Sequence, residues 1–533
     1  MNYFVLGPSF LYTNLKNLVY LDLSSNKFDG SIPQSLRKHV NLGFLDLSSN
    51  KFDGSIPQSL GKLANLGYLD LSFNKFDGSI PQSLGKLANL GSLYLSNNYF
   101  NGPIPKSFVQ LVNLSFLDIS SNKLDGIMFV KKRWPLNLIY LNLSHNQLSG
   151  SLPKNIGHIM PYLKGLFLRN NHLNGSIPIS LCQTPLSYLD ISKNNLSGEI
   201  PNCWEDNQGW SAISNEGNQG WTEINLSSNK LTGEFPSSFG NLSTLCWLHL
   251  NNNSLKGELP KSFKNLKQLV ILDLGENHFS RSIPSSWTIN TFPSLQVLRL
   301  RQNMLSGSIP SQLCQLKSLK ILDLARNKLH GSIPRCIGNL NGMILESQFL
   351  GNLDADLDTF TEFEWYHQAV IERVKGSERE YTKILKLVVH IDLSQNNLVG
   401  FIPNEITLLT GLHNLNLSKN QLKGEIPQLI GNMKSLESFD MSRNQLSGTI
   451  PYTMSALTSL SQLNLSHNNF SGPIPKDNQF LTFDPSIFAY NPYLCGSPLS
   501  NKCLDHISHG TCETKRDGGD EDEVEIVWFY TLS

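Results

Sequence analysis

At 533 residues the chain is long for one globular core, yet only 40% of it is hydrophobic, and 43 basic residues balance 43 acidic ones. That balance leaves no net field to draw nucleic acid or an anionic membrane as partner. No run reaches the ~18 apolar residues of a spanning helix, and a regular internal repeat overrides the several domains that length alone would suggest.

The first residues, MNYFVLGPSFLYTN, have neither a basic start nor a clean apolar segment with a cleavage site, so they do not read as a signal peptide. From Leu18 a unit of the form LxxLxLSxNxLxGxIPxxLGxL takes over. Its asparagines fall at Asn26, Asn50, Asn74, Asn98, Asn122, Asn146, Asn171, Asn194, Asn229, Asn253, Asn277, Asn303, Asn327, Asn396, Asn420, Asn444 and Asn468, which makes 17 repeats mostly 24 residues apart. That period lies within the range of leucine-rich repeats. Leu21-Asp22-Leu23 reads as a short strand with both leucines on one face. Coils stacked at ~4.8 Å extend roughly 80 Å or more. The asparagine turns the chain inward, where its amide can satisfy backbone groups that water cannot reach, each worth ~1–3 kcal/mol if left unmet. Gly30 permits a turn that a Cβ would obstruct, and Pro33 stiffens the convex return. The fold class this predicts is an α/β-type solenoid, right-handed and curved, with short parallel strands on its concave face.

An aromatic recurs just before the strand's first leucine, at Tyr20, Phe44, Tyr68, Phe116, Tyr140 and Tyr188. Stacking between like positions and a surface for carbohydrate or peptide are both open readings. Sequons fall at Asn113, Asn142, Asn174, Asn195, Asn225, Asn241, Asn252, Asn416, Asn464 and Asn469. Of these, Asn142, Asn225, Asn416 and Asn464 lie within strands and would aim a glycan into the concavity. Together with eight cysteines they point to an oxidising, glycosylating compartment. Cys182 and Cys314 each lie four residues after a proline, and Cys203 and Cys336 each two after one. The shared offsets place Cys182 with Cys203, and Cys314 with Cys336, on neighbouring convex turns within disulfide reach. No zinc-type spacing is present, and no disulfide is assigned to Cys246 or Cys512. The 35 residues between Asn194 and Asn229 contain NQGW twice, 11 residues apart, a tandem duplication within one coil near 207–221.

The later coils are less uniform. Trp247, His249, Asp273, Glu276, Arg299, Arg301, Gln302, Asp323 and Arg326 replace the stereotyped positions of the concave face. Mixed charge beside a tryptophan suits a polypeptide ligand, and the alternative is a solvated surface under no demand. Between Asn253 and the next irregularity there is no sequon, which favours this stretch as the open binding face. No GxSxG, HExxH or phosphate-binding loop occurs, so the chain reads as no enzyme, with no cofactor and no metal.

The repeat of residues 1–340, about 13 units, then stops. Residues 341–386 form an island whose core runs from Thr359 to Leu385, four repeats follow over 387–477, a cap occupies 478–512, and 513–533 is an acidic tail ending on IVWFYTLS. So long an interruption of a solenoid is a place to look for function. The island mixes aromatics (Phe360, Phe363, Trp365, Tyr366, Tyr381) with charges of both signs, and Trp365 and Tyr366 are its expected contact residues.

LSGSLP at Leu148–Pro153, KGSEREYTKIL followed by VVHIDLSQNNLVGFIP, and a closing QxxTFxxxxFxxNxxLCGxPLxxxC together resemble the plant receptor-like proteins, cell-surface immune and developmental receptors without a kinase domain. The resemblance implies an extracellular protein or peptide elicitor as ligand, and a co-receptor kinase that joins at the island and last four repeats. It implies a Cys495–Cys503 bridge in the cap, and a Lys375-Gly376…Tyr381 signature that anchors the island's return. It also implies a single-pass plasma-membrane protein, with Val527-Trp528-Phe529-Tyr530 at the outer edge of a membrane helix of which this chain holds only the start. The family's signal peptide and N-terminal cap are not seen here, so a secreted or truncated product is the other expectation. The rival function is a secreted inhibitor of microbial wall-degrading enzymes, against which the length and the island count; a non-functional receptor fragment is a third reading.

Overall fold

The computed structural model describes residues 17–128, 134–182, 184–205, 220–261, 263, 266–344, 370–374, 377–381 and 388–503. Leucine spacing decides the architecture. In Phe44–Asp46 the central Leu45 points inward and is buried, while Phe44 and Asp46 point to the opposite face. Repeated coil by coil, this gives a 17-stranded parallel sheet from Tyr20–Asp22 to Gln462–Asn464, every strand three residues long and in register with the next. Leu47, Leu60, Leu63 and Leu66 fill the inside of the same coil.

The asparagines act as expected, and more extensively. Asn74 donates to the carbonyls of Leu71 (3.3 Å) and Ser72 (3.0 Å) in its own turn and of Leu47 (2.9 Å) in the coil before, while its Oδ1 accepts the Phe52 amide at 3.0 Å. One side chain thus ties two coils together. The residue before it takes a left-handed backbone, as in Phe73 at φ 53°.

Two features were not legible in the repeat. After each asparagine the chain forms a second strand of two to five residues, as in Lys51–Gly54 and Asn195–Glu199, and these pair into flanking parallel sheets of two to six strands. Gly54 ends its strand at φ 68°, so the glycine serves this strand's exit as well as a turn. The convex returns are 3₁₀ turns entered through the proline, such as Gln58–Lys62 after Pro57; Ile156–Ile159 is the one α-helix among the described residues.

Both irregular coils close cleanly. At the base of the 35-residue coil Trp204 and Trp221 are buried edge to face, centroids 5.1 Å apart, and Trp204 Nε1 donates to the Pro201 carbonyl at 2.6 Å. Across the island, Ile321–Asp323 pairs directly with His390–Asp392, and Asn396 donates to Leu324 O while accepting from Leu329 N, both at 3.0 Å. Within the island Val370–Val374 and Ser377–Tyr381 form an antiparallel pair. Trp365, Tyr366 and Lys375-Gly376 lie outside the described residues, as do Cys512 and most of the NQGW duplication.

The cap covers the last coil by imitating one. Asn491 donates to the carbonyls of Leu465 and Phe488, both at 3.0 Å, and accepts the Phe470 amide at 3.1 Å, so the asparagine ladder has one rung more than the repeat count suggested. Phe480, Phe488 and Leu494 seal the apolar end. All three expected disulfides, Cys182–Cys203, Cys314–Cys336 and Cys495–Cys503, are formed. Cys246 is a buried thiol whose Sγ reaches the Thr244 carbonyl at 3.4 Å.

Candidate functional site

Because each strand sends its first and third residues outward, the concave face is two columns of side chains in register. The columns divide the face into three zones of different chemistry.

In the first coils the leading column is aromatic. Tyr20, Phe44 and Tyr68 stack face to face at 4.2 and 4.3 Å between centroids, and Phe116 stacks on Tyr140 at 5.5 Å. The second column holds Asp22, Asp46, Asp70 and Asp118, and one oxygen of each accepts the amide of the serine two residues on at 2.8–2.9 Å. Burial first, then neighbouring Asp46, raises the Asp70 carboxyl above its ordinary value, with the serine bonds opposing. Burial and the same two carboxylates push the Tyr68 phenol well up.

The middle zone corrects an expectation. The later coils were to supply exposed contact residues, and those from Asn253 to the island an open binding face, yet Trp247, His249, Asp273, Arg299, Arg301 and Asp323 are all buried. Trp247, Ile271, Val297 and Ile321 occupy the column that is aromatic earlier and form a second apolar cluster with Cys246 and Val270; Tyr188 and Val388, the latter just past the island, pack against it. The charges beside them neutralise one another. Arg299 spans three carboxylates, with Nη1 2.9 Å from Asp273, Nη2 3.1 Å from Glu276 and Nε 3.5 Å from Asp323, and Arg301 Nη1 also lies 3.5 Å from Asp323. A guanidinium fits this duty because it stays charged and offers donors in a planar fork. His390 and Asp392 continue the network. Burial holds the His390 imidazole down to about 4, against the pull of Asp323 and with the help of Arg301 and Arg299. The Asn414 amide lies 2.6 Å from its Nδ1. Burial likewise raises Asp323 and Asp392, which are opposed by Arg301. Of the nine expected contact residues in these coils, Glu276 and Arg326 are half-buried and Gln302 is exposed; Arg326 Nη1 donates to Gln302 Oε1 at 2.9 Å.

The third zone was missed in the sequence. Beyond the island a polar cavity of about 220 Å³ opens on the concave side, lined by Arg301, Arg326, Asp392, Lys419, Asp440 and Arg443 among serines and asparagines. Asn416 and Asn464, both sequon residues, line it as well. Asn416 donates to Asp392 Oδ2 at 3.2 Å, and its Oδ1 accepts the Ser418 hydroxyl at 2.8 Å. The signal was available in the sequence: Arg326, Lys419 and Arg443 each directly precede a repeat asparagine. Of the other sequons, Asn225 is buried at 5% exposure and Asn142 half-buried, while Asn113, Asn174, Asn195, Asn241, Asn252 and Asn469 are exposed.

A face of this kind, rigid and varied along its length, defines a leucine-rich-repeat scaffold, and two leucine-rich-repeat family models match 64–124, 221–279 and 425–470, and seven further single units between 17 and 433. The chain belongs to that family. Within it the chain is similar to plant receptor-like proteins: receptor-like protein 32 of Arabidopsis thaliana is 30% identical over 258 residues, which is 48% of this chain and 27% of that protein. The chain spans less than a third of the length of the curated relatives it matches. Among solved structures it is similar to the plant peptide hormone receptor RGFR1 in complex with RGF2 (TM-score 0.62, 28% identity, 91% of this chain and 79% of that one). It is likewise similar to the Arabidopsis receptor kinase HAESA in complex with the peptide hormone IDA and the co-receptor SERK1 (TM-score 0.60, 28% identity, 92% and 84%).

Proposed function

We propose that this chain is the ligand-recognising ectodomain of a plant receptor-like protein in defence or peptide signalling, that its ligand is an extracellular peptide or protein, and that it acts through a partner receptor kinase at the cell surface. The polar cavity lined by coils from both arrays carries the reading. Arg326, Lys419 and Arg443 stand together there on coils held in register, beside Asp392 and Asp440, a charge-bearing recess on a preformed support. The island and last four coils are the side on which the partner kinase would join. Among the described residues no helix is long and apolar enough to cross a membrane, so the reading does not rest on one.

The test is a chimera carrying this ectodomain on the membrane helix and kinase domain of a plant receptor kinase, expressed in leaf cells. Peptide fractions from microbial culture fluid and from plant extracellular fluid are applied, and the oxidative burst is recorded. At least one fraction should trigger the wild-type chimera but not an equally abundant Arg326→Ala/Arg443→Ala variant. Silence towards every fraction, or inhibition of a microbial polygalacturonase by the secreted chain, would overturn the proposal.

A further inference from the structure

The first zone of the concave face has a partner chemistry of its own. From Tyr20 to Tyr140 the leading column is Tyr, Phe, Tyr, Ser, Phe, Tyr and the second is Asp, Asp, Asp, Tyr, Asp, Asn, paired strand to strand. Across 19–25, 43–49, 67–73, 91–97, 115–121 and 139–145, the segments that form this face, the sequence holds four aspartates and no lysine or arginine. The rings are accessible, Tyr20 at 59% and the others half-buried, and no sequon occurs before Asn113.

The molecule itself shows what fits between such carboxylates. In the register Asp273–Arg299–Asp323 a guanidinium occupies the coil between two aspartates of this same column and touches both, at 2.9 and 3.5 Å. At Asp22–Asp46–Asp70 the column has the acids without the guanidinium, and the unrelieved like charge is felt at Asp70 and Tyr68. The flanking ladder adds π-faces, which attract cations at about 0.5–1 kcal/mol each when exposed.

We infer that the concave face of the first five coils is a docking surface for an extended arginine- or lysine-rich peptide segment, laid along the solenoid axis with its cationic side chains between the aspartates and against the aromatic ladder. Four coil steps of ~4.8 Å make ~19 Å, which an extended chain of about six residues covers. The inference rests on the reading of this protein as a peptide-binding ectodomain but uses other coils, and it is tested by direct binding, without signalling.

The experiment uses the secreted full chain with its disulfides intact and a fluorescein-labelled hexapeptide of alternating arginine and serine, followed by fluorescence anisotropy. Saturable binding is expected, weakened about tenfold or more by Asp46→Ser/Asp70→Ser. Serine keeps an oxygen for the amides two residues on and creates no glycosylation sequon, so the melting temperature should hold. Phe44→Ser, a residue that Ser92 already places in this column, should weaken binding severalfold. Asp29→Ser/Asp53→Ser removes the same charge from exposed positions in the flanking strands and should leave affinity within about twofold. Arg326→Ala/Arg443→Ala should leave it unchanged, which separates this site from the cavity. No saturable binding, equal binding of the alternating glutamate–serine peptide, unaltered affinity in Asp46→Ser/Asp70→Ser, or an equal loss in Asp29→Ser/Asp53→Ser would each overturn the inference.

Discussion

At the scale of single residues, His390 shows what burial on the concave face demands. It faces Asp323, Arg299, Arg301 and Asn414, and it is fully buried. Its folded value of about 4 lies below the ~6.5 of an exposed imidazole, so between those values the unfolded chain binds the proton and the folded chain resists it. Stability from this group is therefore complete above about pH 6.5, falls as pH drops towards 4, and is flat below. At ~1.4 kcal/mol per unit the loss amounts to about 3 kcal/mol. Asp323 and Asp392 act in the opposite sense, because their raised values let the folded state take up protons first and recover stability on acidification. Melting curves from pH 7.5 to 4 should accordingly fall less steeply for His390→Gln than for the wild type, whatever the offset between them at neutral pH. Parallel curves would mean that the imidazole is not held neutral.

At the scale of the element, the convex side has a seam as regular as the asparagine ladder. The residue after each 3₁₀ anchor meets the next coil at the residue before its anchor. A Cβ on Gly61 would lie 2.2 Å from Ser83 O, and one on Gly431 2.2 Å from Thr453 O. Cys314 with Cys336, and Cys182 with Cys203, sit at the same two positions, so the disulfides and the glycines close one seam by different means. Gly431→Ala should therefore lower the melting temperature, by an amount equivalent to about 1–3 kcal/mol, since the neighbour it strikes is backbone and cannot turn aside. An unchanged melting temperature would show that the coils can part there. The convex cysteine pairs, the strands and the ladder were legible because each is fixed by one residue type recurring at one offset, whereas the glycines of the same seam were not singled out. The cap's rung at Asn491, only 23 residues after Asn468, was hidden because no LxL strand precedes it. The middle zone misled for another reason. Trp247, Arg299 and Asp323 read as exposed because the repeat says which face a side chain leaves from, while the pairing that buries them depends on neighbours from three coils. The cavity escaped for the same cause, being assembled from residues more than a hundred positions apart.

At the scale of the whole molecule, the question is what the island is for. A solenoid is stable through contacts between adjacent coils, and a coil that lost its neighbour would expose an apolar face. Here the coils on either side are already neighbours: Ile321, Leu322 and Asp323 pair with His390, Ile391 and Asp392, and Asn396 bridges to Leu324 and Leu329 as any other rung does. Among the described residues these rungs are made between the two arrays themselves. Excising 345–387, which brings Asn327 and Asn396 to nearly the regular 24-residue spacing, should leave a chain that is secreted, gives an unchanged circular-dichroism band shape and melts cooperatively. In the receptor-kinase chimera that same chain should lose its response to an active peptide fraction, because the excision removes Trp365 and Tyr366 together with the whole segment standing between the repeats. Retention of the response would make the insert a splice without a share in recognition. Failure of the excised chain to fold would show that the concave cluster of Trp247, Ile271, Val297 and Ile321 depends on the insert, and that the two arrays cannot be treated as one continuous solenoid.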